Sequence, residues 1–200
     1  MPLPSILKVW TKNNMIKKIL VVSDSHGRSQ NIRTAIEKEC PDMLIHLGDI
    51  EDDPEDVRKW LDAAAARWNE KYASEKKSLP IPAVFVRGNC DRYGGDSLKQ
   101  AAVFEVNEHR FFCTHGHKQG VNYGMENLMY TALENGCDIA LFGHTHVIFD
   151  EVYDDPSSAG SQLRIMNPGS ISLPRGGKRK SYMILEFDDD NNYDVQWRWV

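Results

Sequence analysis

The sequence predicts an α/β fold in which two sheets pack against each other, and three patterns support this prediction. Apolar runs typical of buried strands alternate with helical segments in the first half of the chain. Five apolar runs end in short polar segments that contain glycine. The last quarter alternates apolar and polar residues in the manner of antiparallel strands. A parallel sheet with helical crossovers, covered by a second sheet, accounts for all three patterns.

Three strands and two helices are predicted to alternate in the first half of the chain. Apolar residues recur at helical spacing over 29–39, with Ser29 as the predicted N-cap. A second helix starts at Pro54 and continues into an exposed, charged excursion that ends before Pro80. This alternation predicts parallel strands. The three strands cover 16–22, 43–45 and 83–86.

The second half is predicted to contain a hairpin, one helix and further strands. The hairpin turns at Asn107 and Glu108, and an amphipathic helix follows over 125–133. We expect the last four strands to form the second sheet. The predicted strands of this half cover 103–106, 110–114, 139–142, 147–153, 163–166, 182–187 and 194–199.

Composition indicates one soluble globular domain. The chain has 200 residues, 41% of them apolar, and no apolar run approaches the roughly 18 residues that a membrane span requires. We expect residues 15–200 to form a single domain and residues 1–14 to be a flexible extension without chemistry. We therefore expect no membrane partner, and the net charge of -5 argues against nucleic acid and favours a small substrate.

Cysteine usage indicates a reducing compartment. Cys40, Cys90, Cys113 and Cys137 are widely spaced and form no CxxC pair. Neither a zinc knuckle nor a dense disulfide framework is therefore indicated. Reduced thiols and a cytoplasmic location are the simplest interpretation.

The five polar segments, called the tips below, collect most of the histidines. Five of the seven histidines lie in them, together with Asp24, Asp49 and Asn89. A single His or Asp at a strand end is usually a hydrogen-bonded surface or turn residue, but random placement would not produce this concentration. Ligands gather at the carboxyl ends of strands in open α/β sheets. The tips are 23–27, 48–49, 87–91, 115–117 and 143–146.

The residue types of the tips are those of an open, catalytic metal centre. Carboxylate, amide and imidazole ligands suit divalent ions such as Mn, Fe, Co, Ni or Zn, and the absence of thiolate ligands argues against a structural zinc site. The candidate metal ligands are Asp24, His26, Asp49, Asn89, His115, His144 and His146.

Five motifs follow one another in the tips: Asp24-Ser25-His26, Gly48-Asp49, Gly88-Asn89-Cys90-Asp91, His115-Gly116-His117 and Gly143-His144-Thr145-His146. In kind and order they resemble those of the calcineurin-like metallophosphoesterases, and within these the small YfcE-type phosphodiesterase branch. The resemblance extends from about residue 16 to the carboxyl terminus. It implies a four-layer α/β/β/α sandwich, in which two packed mixed sheets are flanked by helices and the site lies at the sheet ends.

The resemblance also implies a two-metal mechanism. Asp24, His26 and His146 would hold one divalent ion, Asn89, His115 and His144 would hold the other, and Asp49 would bridge the two. Manganese is the first choice, with Ni, Co, Fe or Zn as alternatives. A water shared by the ions would attack a small phosphate ester, a diester in the first instance, as hydroxide. The predicted catalytic residues are Asp49, Asn89 and His117.

Cys90 is the position at which the sequence departs from the family pattern. Many members have a histidine there that is thought to help protonate the leaving group. A free thiol has a pKa of about 8.5, and nearby cations favour the thiolate, so we interpret Cys90 as a wall residue. His117 is the first substitute as proton donor, and a hydrogen bond from His117 to a metal ligand is an equally good alternative.

The other polar features receive structural interpretations. His46 is predicted to pack or hydrogen-bond behind the site, and His109 is predicted to be solvated at the hairpin edge. The segment Asn167-Pro168-Gly169-Ser170 resembles a turn of the same family branch and is given a structural role. The basic cluster of Arg175, Lys178, Arg179 and Lys180 is interpreted as a solvated loop.

Two other functions remain open at the level of sequence. A metal-poor, Vps29-like interaction scaffold on the same fold would lack part of the ligand set, whereas every ligand position is filled here. A nuclease of the same superfamily would need an extended basic or aromatic groove, and the acidic net charge argues against one. The sequence leaves open the physiological substrate, the native metal and whether the chain forms a homo-oligomer.

Overall fold

The computed structural model describes residues 16–91, 98–156, 158, 160–175 and 179–200. The extension predicted at 1–14 lies outside the described residues. Within the described part, no helix combines the length and the apolar character that a membrane span needs. The helices are α1 (Gln30–Glu39), α2 (Pro54–Lys71) and α3 (Glu126–Glu134), and the strands are β1 (Lys18–Val22), β2 (Met43–His46), β3 (Ala83–Phe85), β4 (Ala101–Val106), β5 (His109–Thr114), β6 (Ile139–Leu141), β7 (Ile148–Asp154), β8 (Gln162–Pro168), β9 (Ser181–Phe187) and β10 (Tyr193–Trp199).

Two mixed five-stranded sheets form the centre of the fold. The first has the strand order β10-β9-β1-β2-β3, and the second has the order β4-β5-β6-β8-β7. β1, β2 and β3 are parallel neighbours joined through α1 and α2, as the alternation of the sequence predicts. β5 and β6 are also parallel neighbours. The carboxyl ends of these five strands carry the tips.

Three apolar layers hold the sheets and helices together. Between the sheets, residues such as Val21, Ile45 and Phe104 are fully or almost fully buried. α1 and α2 pack on the outer face of the first sheet through residues including Ile36, and α3 packs on the second sheet through Leu128. Each fully buried side chain of this size contributes roughly 1.5–3 kcal/mol. The layer order is α/β/β/α, which confirms the predicted fold class.

The assignment of the last two strands to the second sheet is wrong. β9 pairs antiparallel with β1, and β10 pairs with β9, so both belong to the first sheet. The reason lies in the two faces of β9. Met183 and Leu185 contribute to the core between the sheets, whereas Tyr182 and Ile184 contribute to the core under the helices. A strand with apolar side chains on both faces is favoured inside a sheet that is covered on both sides.

The two helix starts differ in how they are capped. Ser29 occupies the N-cap position of α1, but its side chain makes no capping hydrogen bond, so the predicted cap is wrong in this respect. Its backbone N–H instead donates to Asp52 Oδ2 at 3.2 Å. At α2, Asp53 Oδ1 accepts a bond from Glu55 N at 2.9 Å, which is the arrangement that stabilises a helix N-terminus.

His109 is not solvated, contrary to the sequence-based expectation. Its Nδ1 lies 2.5 Å from Asp138 Oδ2, and its Nε2 lies 3.0 Å from the carbonyl oxygen of Asn191. Its ring meets Tyr193 edge-on, with the centroids 4.9 Å apart. Both polar partners are acceptors, so the doubly protonated imidazolium satisfies both. His109 thereby ties β5 of the second sheet to the β9–β10 turn of the first.

We predict that His109→Ala destabilises the protein more at low pH than at high pH. The hydrogen bond to Asp138 raises the pKa of His109, against the opposing effect of burial. The contribution is therefore fully present below the unfolded pKa of about 6.5 and is lost as the pH rises through the folded value. Urea unfolding at pH 5.5 should give a loss of about 1–2 kcal/mol, with a smaller loss at pH 8.5. An equal loss at both pH values would contradict an ionic role.

Candidate metal centre

The tips of both sheets meet at one edge of the sandwich. Within the first sheet, Asp24 N donates to the carbonyl of Gly48 at 3.1 Å, and His26 N donates to the carbonyl of Asp49 at 2.9 Å. Within the second sheet, Gly143 N donates to the carbonyl of His115 at 3.1 Å. A bond from His144 N to Asp24 Oδ2, at 3.1 Å, joins the two sheets. Residues far apart in sequence therefore form one cluster.

The backbone of the cluster is held in an uncommon conformation. Five of the seven candidate ligands have positive φ: Asp24 (55°), His26 (46°), Asp49 (53°), His144 (68°) and His146 (60°). Each such residue costs about 1–3 kcal/mol. Strain of this kind persists only where surrounding contacts enforce it, and it concentrates at functional sites.

Glycine is required at positions 88 and 143, because the backbone there passes very close to a side chain of another tip. A Cβ on Gly88 would lie 2.0 Å from Asp49 Oδ1, and a Cβ on Gly143 would lie 2.0 Å from Ser23 Oγ. In both cases the chain passes directly over a polar side chain of another tip. Any other residue at these positions would push the tips apart.

Side-chain ligand atoms converge between the sheets. Asp24 Oδ1 lies 3.2 Å from His146 Nε2, and Asp49 Oδ2 lies 3.3 Å from His115 Nε2. His26 Nε2 lies 3.8 Å from Asp49 Oδ2 and 3.3 Å from His146 Nε2. Three groups have ligand atoms within 4.8 Å of one another: Asp24, His26 and His146; Asp24, Asp49 and His115; and His26, Asp49 and Cys90.

His26, His115 and His146 each have an oxygen acceptor at Nδ1. His115 Nδ1 lies 2.7 Å from the carbonyl of Leu47, and His146 Nδ1 lies 2.5 Å from the carbonyl of Leu173. A carbonyl oxygen cannot donate, so these Nδ1 atoms must carry the proton. In their neutral form, which a bound cation would favour, the rings of His115 and His146 present the Nε2 lone pair to the cluster. Outer hydrogen bonds of this type orient metal-binding imidazoles.

The charges of the cluster compensate one another. Burial raises the pKa of Asp24, but the contact with His146 and the charge of His115 outweigh it and lower the pKa. The pKa of Asp49 is lowered in the same way, chiefly through His115 and against burial. Burial lowers the pKa of His115 and of His146, and their carboxylate neighbours reverse this and raise both. Protons and cations are thus attracted to the same space.

One buried atom supports a cation at this position. Asp24 is fully buried, and its Oδ1, although 3.2 Å from His146 Nε2, has no hydrogen bond of normal geometry to any described residue. The other oxygen, Oδ2, accepts bonds from Ser23 Oγ at 2.6 Å and from His144 N at 3.1 Å. An unpaired buried carboxylate oxygen is costly. A metal ion would satisfy it, so the donor set fits a divalent cation.

Asn89 and His144 are arranged less tightly than the other candidates. Asn89 is exposed, and its Oδ1 lies 3.1 Å from His115 Nε2. His144 is half-buried and belongs to none of the three groups found among the described residues. Its Nε2 lies 3.0 Å from Asn122 Nδ2. Because an amide nitrogen donates, His144 Nε2 carries a lone pair on this side.

His117 lies beside the cluster without joining it. Its ring centroid is 5.4 Å from that of His115 and 6.1 Å from that of His144. Its buried Nδ1 has no hydrogen-bond partner among the described residues, so a bond from this atom to a candidate ligand is not observed. Burial, assisted by the charge of His115, lowers the pKa of His117. Its neutral form is favoured at pH 7.

Cys90 borders the cluster as a protonated thiol. Its backbone N–H donates to Asp49 Oδ1 at 2.7 Å, and its Sγ accepts from Asn89 Nδ2 at 3.2 Å. Burial, together with the charge of Asp49, raises the pKa of Cys90 to about 11. The thiol therefore holds its proton strongly in the absence of a bound cation.

His46 lies behind the cluster, as predicted. It is fully buried, and burial lowers its pKa to about 4. Its Nδ1 accepts from Gly48 N at 3.2 Å, so its Nε2 carries the proton toward Ser25 Oγ at 3.1 Å. Ser25 Oγ in turn donates to the carbonyl of Ile50 at 3.2 Å. This neutral chain supports the first two tips from below.

Asp91 and Glu51 are structural organisers that received no role from the sequence. Asp91 is almost fully buried, and its carboxylate accepts from Gly88 N at 2.7 Å and from Asp49 N and Glu51 N at 2.9 Å each. Glu51 Oε1 lies 2.6 Å from His26 Nδ1. The last residue of the Gly-Asn-Cys-Asp motif was the available signal for Asp91. Nothing in the local pattern distinguished Glu51.

The turn that begins at Asn167 is more than a connection between strands. Asn167 Nδ2 donates to the carbonyl of Gly143 at 2.9 Å. Ser170 Oγ donates to the carbonyl of Asp24 at 2.8 Å and accepts from Leu173 N at 2.7 Å. The turn thus supports the tips of both sheets, in agreement with the structural role given to it.

The chain is similar in sequence to a protein family and to individual proteins of that kind. The sequence model of the family described as the calcineurin-like phosphoesterase superfamily domain matches residues 18–190. The probable metallophosphoesterase YsnB of Bacillus subtilis is 31% identical over 174 residues, covering 86% of this chain and 85% of that protein. The phosphodiesterase YfcE of Escherichia coli K12 is 29% identical over 180 residues, covering 86% and 88%.

Solved structures agree with these sequence matches. A predicted phosphoesterase from Streptococcus pneumoniae TIGR4 superposes with a TM-score of 0.68 at 28% identity, covering 92% of this chain and 90% of that one. Vps29 from Entamoeba histolytica in complex with zinc superposes with a TM-score of 0.61 at 18% identity, covering 90% and 98%. The second similarity shows the shared fold alone.

We predict that Asp91→Ala disrupts the junction of the second and third tips. The change leaves the buried N–H groups of Gly88 and Asp49 and the partly buried N–H of Glu51 without an acceptor, and each buried group left unpaired costs roughly 1–3 kcal/mol. The free energy of unfolding should therefore fall by about 3 kcal/mol or more, measured by urea denaturation without metal. Asp56→Ala, on the exposed start of α2, is the control and should change it by less than about 0.5 kcal/mol. Equal effects of the two substitutions would contradict the role of Asp91.

Proposed function

The chain belongs to the calcineurin-like phosphoesterase superfamily, and we propose that it is a hydrolase that cleaves a small phosphate ester with the help of two divalent metal ions. A phosphodiester is the proposed substrate class, because the relative YfcE is named a phosphodiesterase. The catalytic unit would be one domain covering residues 15–200. No covalent intermediate with the protein is required.

The observation that carries the proposal is the convergence of buried carboxylates with the Nε2 atoms of three imidazoles. Asp24 and Asp49 lie almost fully buried among the Nε2 atoms of His26, His115 and His146. Asp24 Oδ1, which forms no hydrogen bond of normal geometry with the described residues, adds a buried position that a cation would satisfy. Two bound ions would supply a nucleophilic water at neutral pH and would neutralise the phosphoryl oxygens.

The residues divide between two proposed ion positions. Asp24, His26 and His146 would hold the first ion, and Asn89, His115 and His144 would hold the second. Asp49 suits the bridging role, because its Oδ2 lies 3.3 Å from His115 Nε2 and 3.8 Å from His26 Nε2. Asn89 would contribute a neutral oxygen and so preserve the positive charge of the centre. His144 would exchange its Asn122 contact for the ion at the same Nε2 lone pair.

His117 is proposed as the proton donor to the leaving oxygen. Its ring lies next to His115 and His144, and its unpartnered Nδ1 is a hydrogen-bonding position still to be used. The lowered pKa of His117 makes the imidazolium a stronger acid, although a smaller fraction of it is present at pH 7. Cys90 would form part of the wall.

The two alternatives receive less support from the molecule. An interaction scaffold has no need for five strained ligand positions or for an unpaired buried carboxylate oxygen, both of which cost stability. A nuclease would require an extended basic groove, and the chain carries a net charge of -5. Hydrolysis of a small ester therefore remains the preferred function.

The remaining proposals concern the metal and the compartment. Manganese is proposed because it accepts mixed carboxylate, amide and imidazole ligands, with Ni, Co, Fe and Zn as alternatives. A cytoplasmic location is proposed because Cys40, Cys90, Cys113 and Cys137 are all free thiols.

We predict that Asp49→Ala abolishes metal-dependent hydrolysis. The purified protein is assayed against aryl phosphomonoesters and phosphodiesters with Mn, Ni, Co and Mg added separately. Loss of the bridge should reduce kcat by at least about 10³-fold, because both ion positions lose a shared ligand. His109→Ala, at the opposite end of the sheets, is the control and should retain the unmodified rate at a temperature where it is folded. A folded Asp49→Ala variant with most of its activity would overturn the bridging role.

We predict a steep dependence of the rate on the leaving group. With a thiol at position 90, and with the neutral form of His117 favoured at pH 7, departure of the ester oxygen relies mainly on its own stability. Aryl phosphodiesters should therefore be cleaved faster than alkyl esters. Cys90→His should flatten the dependence, since a positioned acid contributes typically about 10²–10⁴-fold. Rates are measured for both proteins across a series of leaving-group pKa values. A flat profile in the unmodified enzyme would instead show that proton donation is efficient without an acid at position 90, with His117 as the first candidate donor.

A further inference from the structure

We propose that Arg175 forms an anion-binding site at the rim of the metal centre and binds a non-bridging oxygen of the substrate's phosphoryl group. The proposal rests on the proposed phosphoesterase function and adds a residue that recognises the substrate without holding metal. It replaces the interpretation of Arg175 as part of a solvated loop.

The backbone that carries Arg175 is fixed to the centre at three points. Ser170 Oγ donates to the carbonyl of Asp24 at 2.8 Å. The carbonyl of Leu173 accepts from His146 Nδ1 at 2.5 Å. Arg175 N itself donates to the carbonyl of His146 at 3.3 Å. The position of Arg175 relative to the candidate ligands is therefore set by the same bonds that orient His146.

The guanidinium of Arg175 has no partner within the described part of the chain. Arg175 is exposed, and its side chain forms no hydrogen bond, ion pair or ring contact with the described residues. Most other arginines are engaged: Arg33 with Glu37, Arg58 with Glu55 and Arg164 with Asp150. The chain has 29 acidic and 24 basic residues, so acidic partners are plentiful. An arginine that is unpaired beside a cluster of carboxylates and histidines is therefore available to bind a ligand.

Arg175 lies beside the centre through its backbone, whose N–H donates to the carbonyl of the candidate ligand His146. Arg179 lies over the ring of Trp199, 5.6 Å from its centroid, and faces elsewhere.

The chemistry of the guanidinium identifies the ligand as an anion. Arginine remains protonated and offers no lone pair to a metal, so it cannot be a further ligand. Its planar set of five donors matches the oxygens of a phosphate. Metal ions held by the candidate ligands would supply positive charge for a phosphoryl group, and Arg175 would add donors for a phosphoryl oxygen that the ions do not hold.

A purely structural role for the side chain makes a different prediction. The bonds that fix this segment come from backbone atoms and from Ser170 Oγ, and none involves the guanidinium. Removing the guanidinium should therefore leave His146 in place and metal binding unchanged. Only the affinity for the anion should fall.

The test uses the full-length protein loaded with Mn²⁺ and inorganic phosphate as the probe. Isothermal titration should give a phosphate Kd about tenfold weaker for Arg175→Ala, the loss expected for one charge-assisted hydrogen bond. Arg175→Lys should recover part of the affinity. The matched control Arg179→Ala, which removes the same charge from the same segment, should bind phosphate as the unmodified protein does. Manganese content should be equal in all four proteins.

Kinetics supply a second readout. With an aryl phosphodiester, Arg175→Ala should raise KM about tenfold and change kcat by less than about threefold, because the bond is made in both the ground state and the transition state. Unchanged phosphate affinity and unchanged KM would overturn the proposal, as would loss of manganese in Arg175→Ala. If the unmodified protein binds phosphate through Arg175 but hydrolyses no ester, the proposed function fails while the anion site stands.

Discussion

The structure depends on the burial of two carboxylates, Asp24 and Asp49, at the junction of two sheets. The effective penalty for burying an ionised group is several kcal/mol. The surrounding residues offset it with imidazoles, with N–H donors from His144 and Cys90, and with the hydroxyl of Ser23. One oxygen, Asp24 Oδ1, is left without a normal hydrogen bond. The protein alone therefore provides an incomplete solution, and a cation would complete it.

The two-sheet architecture makes this arrangement accessible. Parallel strands deliver Asp24, His26, Asp49 and Asn89 to one edge of the first sheet, and β5 and β6 deliver His115, His144 and His146 from the second. The tips must then approach closely, which explains Gly88 and Gly143, and must turn sharply, which explains the positive φ values. The side chains of Asp91 and Asn167 form hydrogen bonds with backbone N–H and C=O groups that such irregular segments would otherwise leave unpaired. The strain at the centre is thus supported by a shell of ordinary hydrogen bonds.

Patterns that are local in sequence predicted most of the elements. The runs of β1, β2 and β3 and the Asn107-Glu108 turn are set by neighbouring residues, so they could be recognised without the fold. The position of β9 could not, because its pairing with β1 depends on residues about 165 positions away. The apolar residues on both faces of β9 are the local signal for a strand inside a covered sheet. They differ from the alternation expected of a strand with one exposed face. His109 was missed for the same reason, since Asp138 and Asn191 are distant in sequence. For the candidate site, the motifs located the side chains that converge, whereas the contacts of Glu51, Asn122 and Arg175 follow from the folded chain.

The central claim is that the cluster holds two divalent ions, and anomalous scattering tests it most directly. Crystals of the protein reconstituted with Mn²⁺ would be measured on both sides of the manganese absorption edge. We expect two peaks per chain, one among Asp24, His26 and His146 and one among Asn89, His115 and His144, with Asp49 in contact with both. An absence of peaks between the tips, or a single ion bound elsewhere, would contradict the account.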